Sequence, residues 1–134
     1  MRKDTVHSRE ERLYMELRRG DIIIVDLGET QGHEKQGVRP AVVISSELMN
    51  ENSDNVIVAP MTSASHKQRL LPTHVYITSN VYSGLKKDSI VQLEDIRSVS
   101  KQRMIKHIGC LTGKELDVVD SRIGTVFFPS SMYY

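Results

Sequence analysis

The chain has 134 residues, 39% of them apolar and 26% charged, with a formal net charge of +1. That length suits one domain with one core. The composition is that of a soluble globular protein. Eighteen Lys and Arg stand against 17 Asp and Glu, which excludes a strongly basic domain that coats nucleic acid non-specifically. A local cluster of cations gripping a few phosphates remains compatible with it. Aromatic residues are only 5% and Trp is absent, too few for a row of base-stacking rings. No apolar run approaches the roughly 18–20 residues needed to cross a bilayer. None follows the opening Met-Arg-Lys-Asp, so no secretory signal is read and a cytoplasmic location is expected. Cys110 is the single cysteine, which leaves no internal disulfide and no zinc site of the paired-cysteine type.

Residues 1–17 read as a charged extension, partly helical or disordered, in which Ser8 and Glu11 fit a capping box. Met15 offers a second start within it. Residues 18–134 are expected to form a single domain. Its first strand is the β-branched run from Asp21 to Leu27. A polar, glycine-containing loop follows from Gly28 to Val38. Ala41 to Ser45 is the second strand, with Pro40 at its entrance, where a missing N–H does least harm. Asn50 to Asn55 is a turn-forming polar cluster. Val56 to Thr62 is the third strand, broken or edged at Pro60. Ser63 to Leu71 is a loop carrying Lys67 and Arg69. Thr73 to Ile77 and Ser89 to Glu94 are the fourth and fifth strands, and Ile96 to Val99 a short sixth.

The pattern then changes period. Lys101 to His107 reads as a short helix, after which Gly109 turns the chain. Thr112 and Glu115 make a second capping box. Leu116, Val119, Ile123 and Val126 recur at helical spacing, so a helix is expected from about Gly113 to Phe128, stopped by Pro129. Five or six short strands with a terminal helix point to a small curled sheet or barrel.

Chemistry belongs to the loops between such strands. The segment Gly32-His33-Glu34-Lys35-Gln36-Gly37-Val38-Arg39-Pro40 concentrates a histidine, a carboxylate, an amide and two cations. Arg39, at the start of a strand, either grips a phosphate in bidentate fashion or pairs with an acid to pin the loop. Thr62 and Ser63, at a strand end, either donate to phosphate oxygens or cap a turn. Gln92 and Glu94, two apart, share one face of a strand that lines either solvent or a site, with Asp88 nearby. His74 is a lone strand histidine, and no two histidines have metal-pair spacing, so no metal is expected.

Taken in order, five segments resemble one family. They are Arg19-Gly20-Asp21-Ile22; the block from Gly32 to Ile44; Val58-Ala59-Pro60-Met61-Thr62-Ser63; Leu71-Pro72-Thr73-His74-Val75; and the run from Asp88 to Val99, with Leu93-Glu94-Asp95-Ile96-Arg97 inside it. Together they look like the MazF/PemK (Kid) toxins of bacterial type II toxin–antitoxin systems, over about residues 18–128. The resemblance is closest to the MazF branch of Gram-positive bacteria. It implies a mainly β fold with a C-terminal helix, a small SH3-like barrel of the PemK/CcdB type, acting as a homodimer. It implies a ribosome-independent endoribonuclease without metal or cofactor that cuts single-stranded RNA, and a cognate antitoxin whose extended segment blocks the RNA groove.

By the same resemblance Arg39 matches the family's central arginine and Thr62 its central threonine. Glu34 matches an acidic position and is a candidate general base. His33 matches a histidine of PemK-type members. His33, Gln36, Ser63, Lys67, His74, Gln92 and Glu94 are expected on the substrate side. The chain departs from PemK-type toxins at Gln92 and Glu94, where those carry an arginine and an aspartate. Two other readings of the same barrel stay open: a non-enzymatic toxin like the CcdB topoisomerase poisons, and a catalytically silent interaction module.

Overall fold

The computed structural model describes residues 16–28, 37–65 and 69–129. Along them run β1 (Asp21–Asp26), β2 (Val38–Val43), α1 (Glu47–Asn52), β3 (Asn55–Ser63), β4 (His74–Ile77), β5 (Ser89–Gln92), β6 (Arg97–Ser100), β7 (Met104–Cys110) and α2 (Gly113–Phe127). The strands are antiparallel, in the order β4-β5-β3-β2-β1-β7, with β6 also paired to β3.

The apolar runs lack alternation because both faces of the central strands are covered. Ile22, Val42, Ala59 and Met61 enter one core cluster, and Leu116, Ile123 and Val126 of α2 pack against it. Ile23, Val25, Ala41, Val43, Val56 and Val58 enter a second cluster on the opposite face, joined by Leu17. The capping box that opens α2 is formed. The Thr112 N–H donates to Glu115 Oε1 at 2.8 Å, and the Glu115 N–H to Thr112 Oγ1 at 3.2 Å.

β3 is the hub of the curl. Its residues Asn55–Val58 pair with β6, Val58–Pro60 with β2, and Met61–Ser63 with β5. Pro60 therefore does not break the strand. It is the last residue laddered to β2, just before pairing with β5 begins. The sheet curls far enough for Arg97 of β6 to donate from Nη1 to the Leu27 carbonyl at 3.1 Å, across 70 residues of sequence.

Four expectations from sequence need correction. Lys101 to His107 is not a helix: a single 3-10 turn over Lys101–Arg103 leads into β7, which pairs with β1. Asn50 to Asn55 is not simply a turn, because Glu47–Asn52 forms α1, capped by Ser46, whose Oγ accepts from the Met49 N–H at 3.2 Å. The second strand starts at Val38, not Ala41, because Val38, Arg39 and Pro40 already pair with β1. The fifth strand stops at Gln92, and Glu94 lies in a following 3-10 turn over Leu93–Asp95. The Ser8–Glu11 box falls outside the described residues.

Candidate active site

The β1–β2 loop has a narrow neck. The Leu27 N–H donates to the Gly37 carbonyl at 3.0 Å, and the Gly37 N–H to the Gly28 carbonyl at 2.9 Å. Gly28 and Gly37 have φ of 73° and 78°, a region that only glycine enters freely. Two guanidiniums brace this neck from outside. Arg97 holds the Leu27 carbonyl, and Arg103 Nη1 donates to the Asp26 carbonyl at 3.3 Å while lying against Gly28. Sequence reading missed both arginines as elements of the site. Only Leu93-Glu94-Asp95-Ile96-Arg97 marked one of them, as part of a motif.

Just past this neck Arg39 stands opposite Val25 of β1. On its other side the β2–β3 ladder ends at Ala41 and Pro60. Carried two residues further, that register sets Arg39 across from Thr62. There the ladder has opened, because β3 has turned to pair with β5. The space left is a cleft of about 380 Å³ with residues 37–40 on one wall and residues 61–63 with Ser89 on the other. Arg39 and Thr62 are half-buried and Ser63 is exposed at the cleft. A planar cation and a hydroxyl thus share one opening wide enough for a phosphate diester. These positions follow from strand alternation, since Arg39 continues the Ala41–Val43 face and Thr62 the Val56–Val58 face.

The structure separates His74 from that cleft. His74 lines a second groove of about 990 Å³, between residues 69–76 and α2, whose cations are Arg69, Lys114 and Arg122. The His74 side chain is only 5% exposed. Its Nδ1 accepts from the Leu71 N–H at 3.1 Å, so Nε2 carries the proton and donates to Glu94 Oε2 at 2.8 Å. The other carboxylate oxygen, Oε1, accepts from the Thr73 hydroxyl at 2.9 Å. Burial pushes the Glu94 carboxyl up, but hydrogen bonds from its own N–H, His74 and Thr73 together outweigh it. The group therefore titrates below the usual glutamate value. Nearby, the Tyr76 hydroxyl donates to Asp88 at 2.6 Å and the Ser79 N–H donates to the same carboxylate at 2.7 Å. These bonds lower the Asp88 pKa and raise that of Tyr76.

Of the expected site residues, Arg39, Thr62 and Ser63 come together, while His74 and Glu94 pair with each other. Gln92 is buried on β5, directly across from His74. His33, Glu34, Gln36 and Lys67 lie outside the described residues. Among the described residues no three His, Cys, Asp or Glu side chains gather as a metal-binding group. No helix among them is long and apolar enough to cross a membrane.

Residues 18–127 match the family described as PemK-like, MazF-like toxin of type II toxin–antitoxin system. The chain is 39% identical over 107 residues to the endoribonuclease MazF of Staphylococcus saprophyticus, covering 80% of this chain and 88% of that one. Among solved structures, toxin MazF-mt6 of Mycobacterium tuberculosis superposes with a TM-score of 0.65 at 25% identity, over 80% of this chain and 95% of that one. A mycobacterial endoribonuclease solved in complex with its cognate antitoxin has the same fold, with a TM-score of 0.67 at 20% identity, over 82% and 93% of the two chains. With the family match running from the residue after Leu17 to the end of α2, this chain belongs to the PemK/MazF family of type II toxin–antitoxin toxins.

Proposed function

We propose that the chain is an endoribonuclease toxin that cuts single-stranded RNA at short sequences, without a metal ion and independently of the ribosome. The observation that carries this reading is the meeting of Arg39 and Thr62 across one cleft. The endoribonuclease named at 39% identity supports it. In the proposed reaction the ribose 2′-oxygen bonds to phosphorus as the bond to the 5′-oxygen breaks. A base takes the 2′-hydroxyl proton and an acid supplies one to the leaving oxygen. The Arg39 guanidinium stabilises the charge that builds on the phosphorane, and the Thr62 hydroxyl hydrogen-bonds a phosphoryl oxygen. Glu34 is the proposed general base.

His33, Gln36, Ser63 and Lys67 are proposed on the substrate side, with His74 and Glu94 as a fixed wall beside it. The toxin works as a cytoplasmic homodimer and is held in check by a cognate antitoxin. The antitoxin's extended segment is acidic where it meets Arg39, Lys67 and Arg69. One experiment tests the core of this reading. Purified protein incubated with a long RNA in excess EDTA should give discrete cuts whose upstream fragments end in 2′,3′-cyclic phosphate. Intact RNA rejects the enzyme, and cutting that EDTA abolishes rejects the metal-free route.

A further inference from the structure

Among the described residues Tyr76 is the only aromatic on a β-strand. It lies on β4, an edge strand, opposite Ile90 of β5, and Ile90 lies opposite Thr62 of β3. Residues paired directly across a sheet project to the same face. Thr62, Ile90 and Tyr76 therefore form one row that leads away from the cleft. Two strand spacings, about 10 Å, separate its ends. The opposite face holds Met61, Val75 and Val91 in the core.

The row changes character along its length. Thr62 is half-buried at the cleft, Ile90 is buried as an apolar floor, and Tyr76 is 48% exposed. The ring is tethered. Its hydroxyl donates to Asp88 Oδ2 at 2.6 Å, and the Ser79 N–H holds the other carboxylate oxygen at 2.7 Å. With the hydroxyl proton spent, the flat face of the ring is the part left for a ligand. The Asp88 carboxylate at its edge repels a phosphate, so an uncharged planar group is the better fit. Past the ring, the groove along α2 carries Arg69, Lys114 and Arg122, cations suited to the phosphate that follows.

We infer that Tyr76 stacks on the base of a nucleotide next to the scissile phosphate and so positions the RNA across the cleft. The inference rests on the RNA-cleaving reading above and adds to it a residue on the substrate side. Unpaired RNA leaves base faces open to a protein ring. Every base has such a face, so the ring supplies affinity and register without choosing a base. One ring is enough for this, because Arg39 and Thr62 already fix the phosphate beside it.

The test is a cycle between protein and RNA. Cut sites are first mapped on a long RNA. kcat/KM is then measured on a short RNA spanning one cut, and on copies made abasic at each position flanking it. For wild type, at least one abasic position should lose about tenfold or more, within the range for a stacked base. Tyr76→Leu should lose a similar factor on the intact RNA, mostly through KM, while remaining folded. At that same position its further loss on the abasic copy should shrink to within about threefold, because the ring that met the base is gone. Tyr76→Phe keeps the ring and gives up only the bond to Asp88, so it should stay close to wild type. Equal abasic losses in wild type and Tyr76→Leu overturn the inference and leave the enzyme reading intact. A loss in Tyr76→Phe as large as in Tyr76→Leu also overturns it, since the hydroxyl and not the ring would then be acting. If Tyr76→Leu does not fold, the wild-type abasic series decides alone: indifference to every missing base overturns the inference. Wild-type protein that cuts no RNA at all overturns both readings.

Discussion

Arg39 and Thr62 sit opposite each other on strands that have just stopped pairing. The register joining Ala41 to Pro60 continues to them, but hydrogen bonding does not, because Met61–Ser63 have turned to β5. The same departure of β3 that helps close the barrel thus opens the cleft. Arg39→Ala and Thr62→Ala should each lower kcat/KM for RNA cleavage by about 10²–10³-fold, the scale for losing one transition-state donor. Both should remain folded. Arg39→Lys should not restore activity, because an ammonium lacks the planar fork. Single-turnover cleavage of a mapped RNA, with circular dichroism alongside, checks this. Wild-type rates in either alanine variant would remove the pair from the active site.

His74 should act through Glu94 and not on RNA. Both of its ring nitrogens are engaged and its side chain is almost fully buried. His74→Leu leaves the Leu71 N–H and a Glu94 oxygen unpartnered, which should cost about 1–3 kcal/mol of stability. Cleavage should fall through KM more than through kcat, since the wall is loosened while Arg39 and Thr62 stay in place. Urea unfolding and a full Michaelis profile measure the two effects. A collapse of kcat at unchanged stability would make His74 a catalytic residue.

The strands that reading by residue type found most fully are β1, β3 and β5, rich in β-branched residues and largely buried. β7 escaped it. Lys101-Gln102-Arg103-Met104 are good helix formers by intrinsic propensity, and only the long-range pairing with β1 makes a strand of Met104–Cys110. α1 escaped because its asparagines look like turn residues. Its signal was present, as Ser46 followed by Glu47 at a helix start. The identities of Arg39 and Thr62 were legible by resemblance. Their opposition was not, since it depends on register, which residue type alone does not specify here.

The depressed pKa of Glu94 fixes the sign of one pH effect. A carboxyl whose folded-state pKa lies below its unfolded value stabilises the fold fully above the unfolded value, about 4.3 for glutamate. That contribution is lost as pH falls through the lower, folded value. Glu94 is about one-third exposed, so solvent screening keeps the effect modest. Glu94→Gln should therefore melt below wild type at pH 7, and the gap should close as the pH drops below 4. Paired thermal melts across that range check it. A gap that persists unchanged to pH 2.5 would mean that Glu94 acts by shape and not by charge.

Gly84 should be the least replaceable residue outside the active site. It has φ of +67°, and a Cβ there would drive into the Ile108 carbonyl on β7. Gly109, on the same strand, meets the carbonyls of Tyr82 and Ser83 in the same way. The turn and the strand are held backbone to backbone, with the Cys110 N–H donating to the Tyr82 carbonyl at 2.8 Å. Neither obstacle is a side chain that could swing aside. Gly84→Ala must therefore lift the turn from β7 and strain its own φ, at about 3 kcal/mol or more. Gly113→Ala is the control, because a Cβ there meets nothing within 4 Å. The first variant should lose solubility or melt far below wild type, while the second should stay close to it. Equal melting temperatures would show that the turn over residues 80–84 is not anchored on β7 in solution.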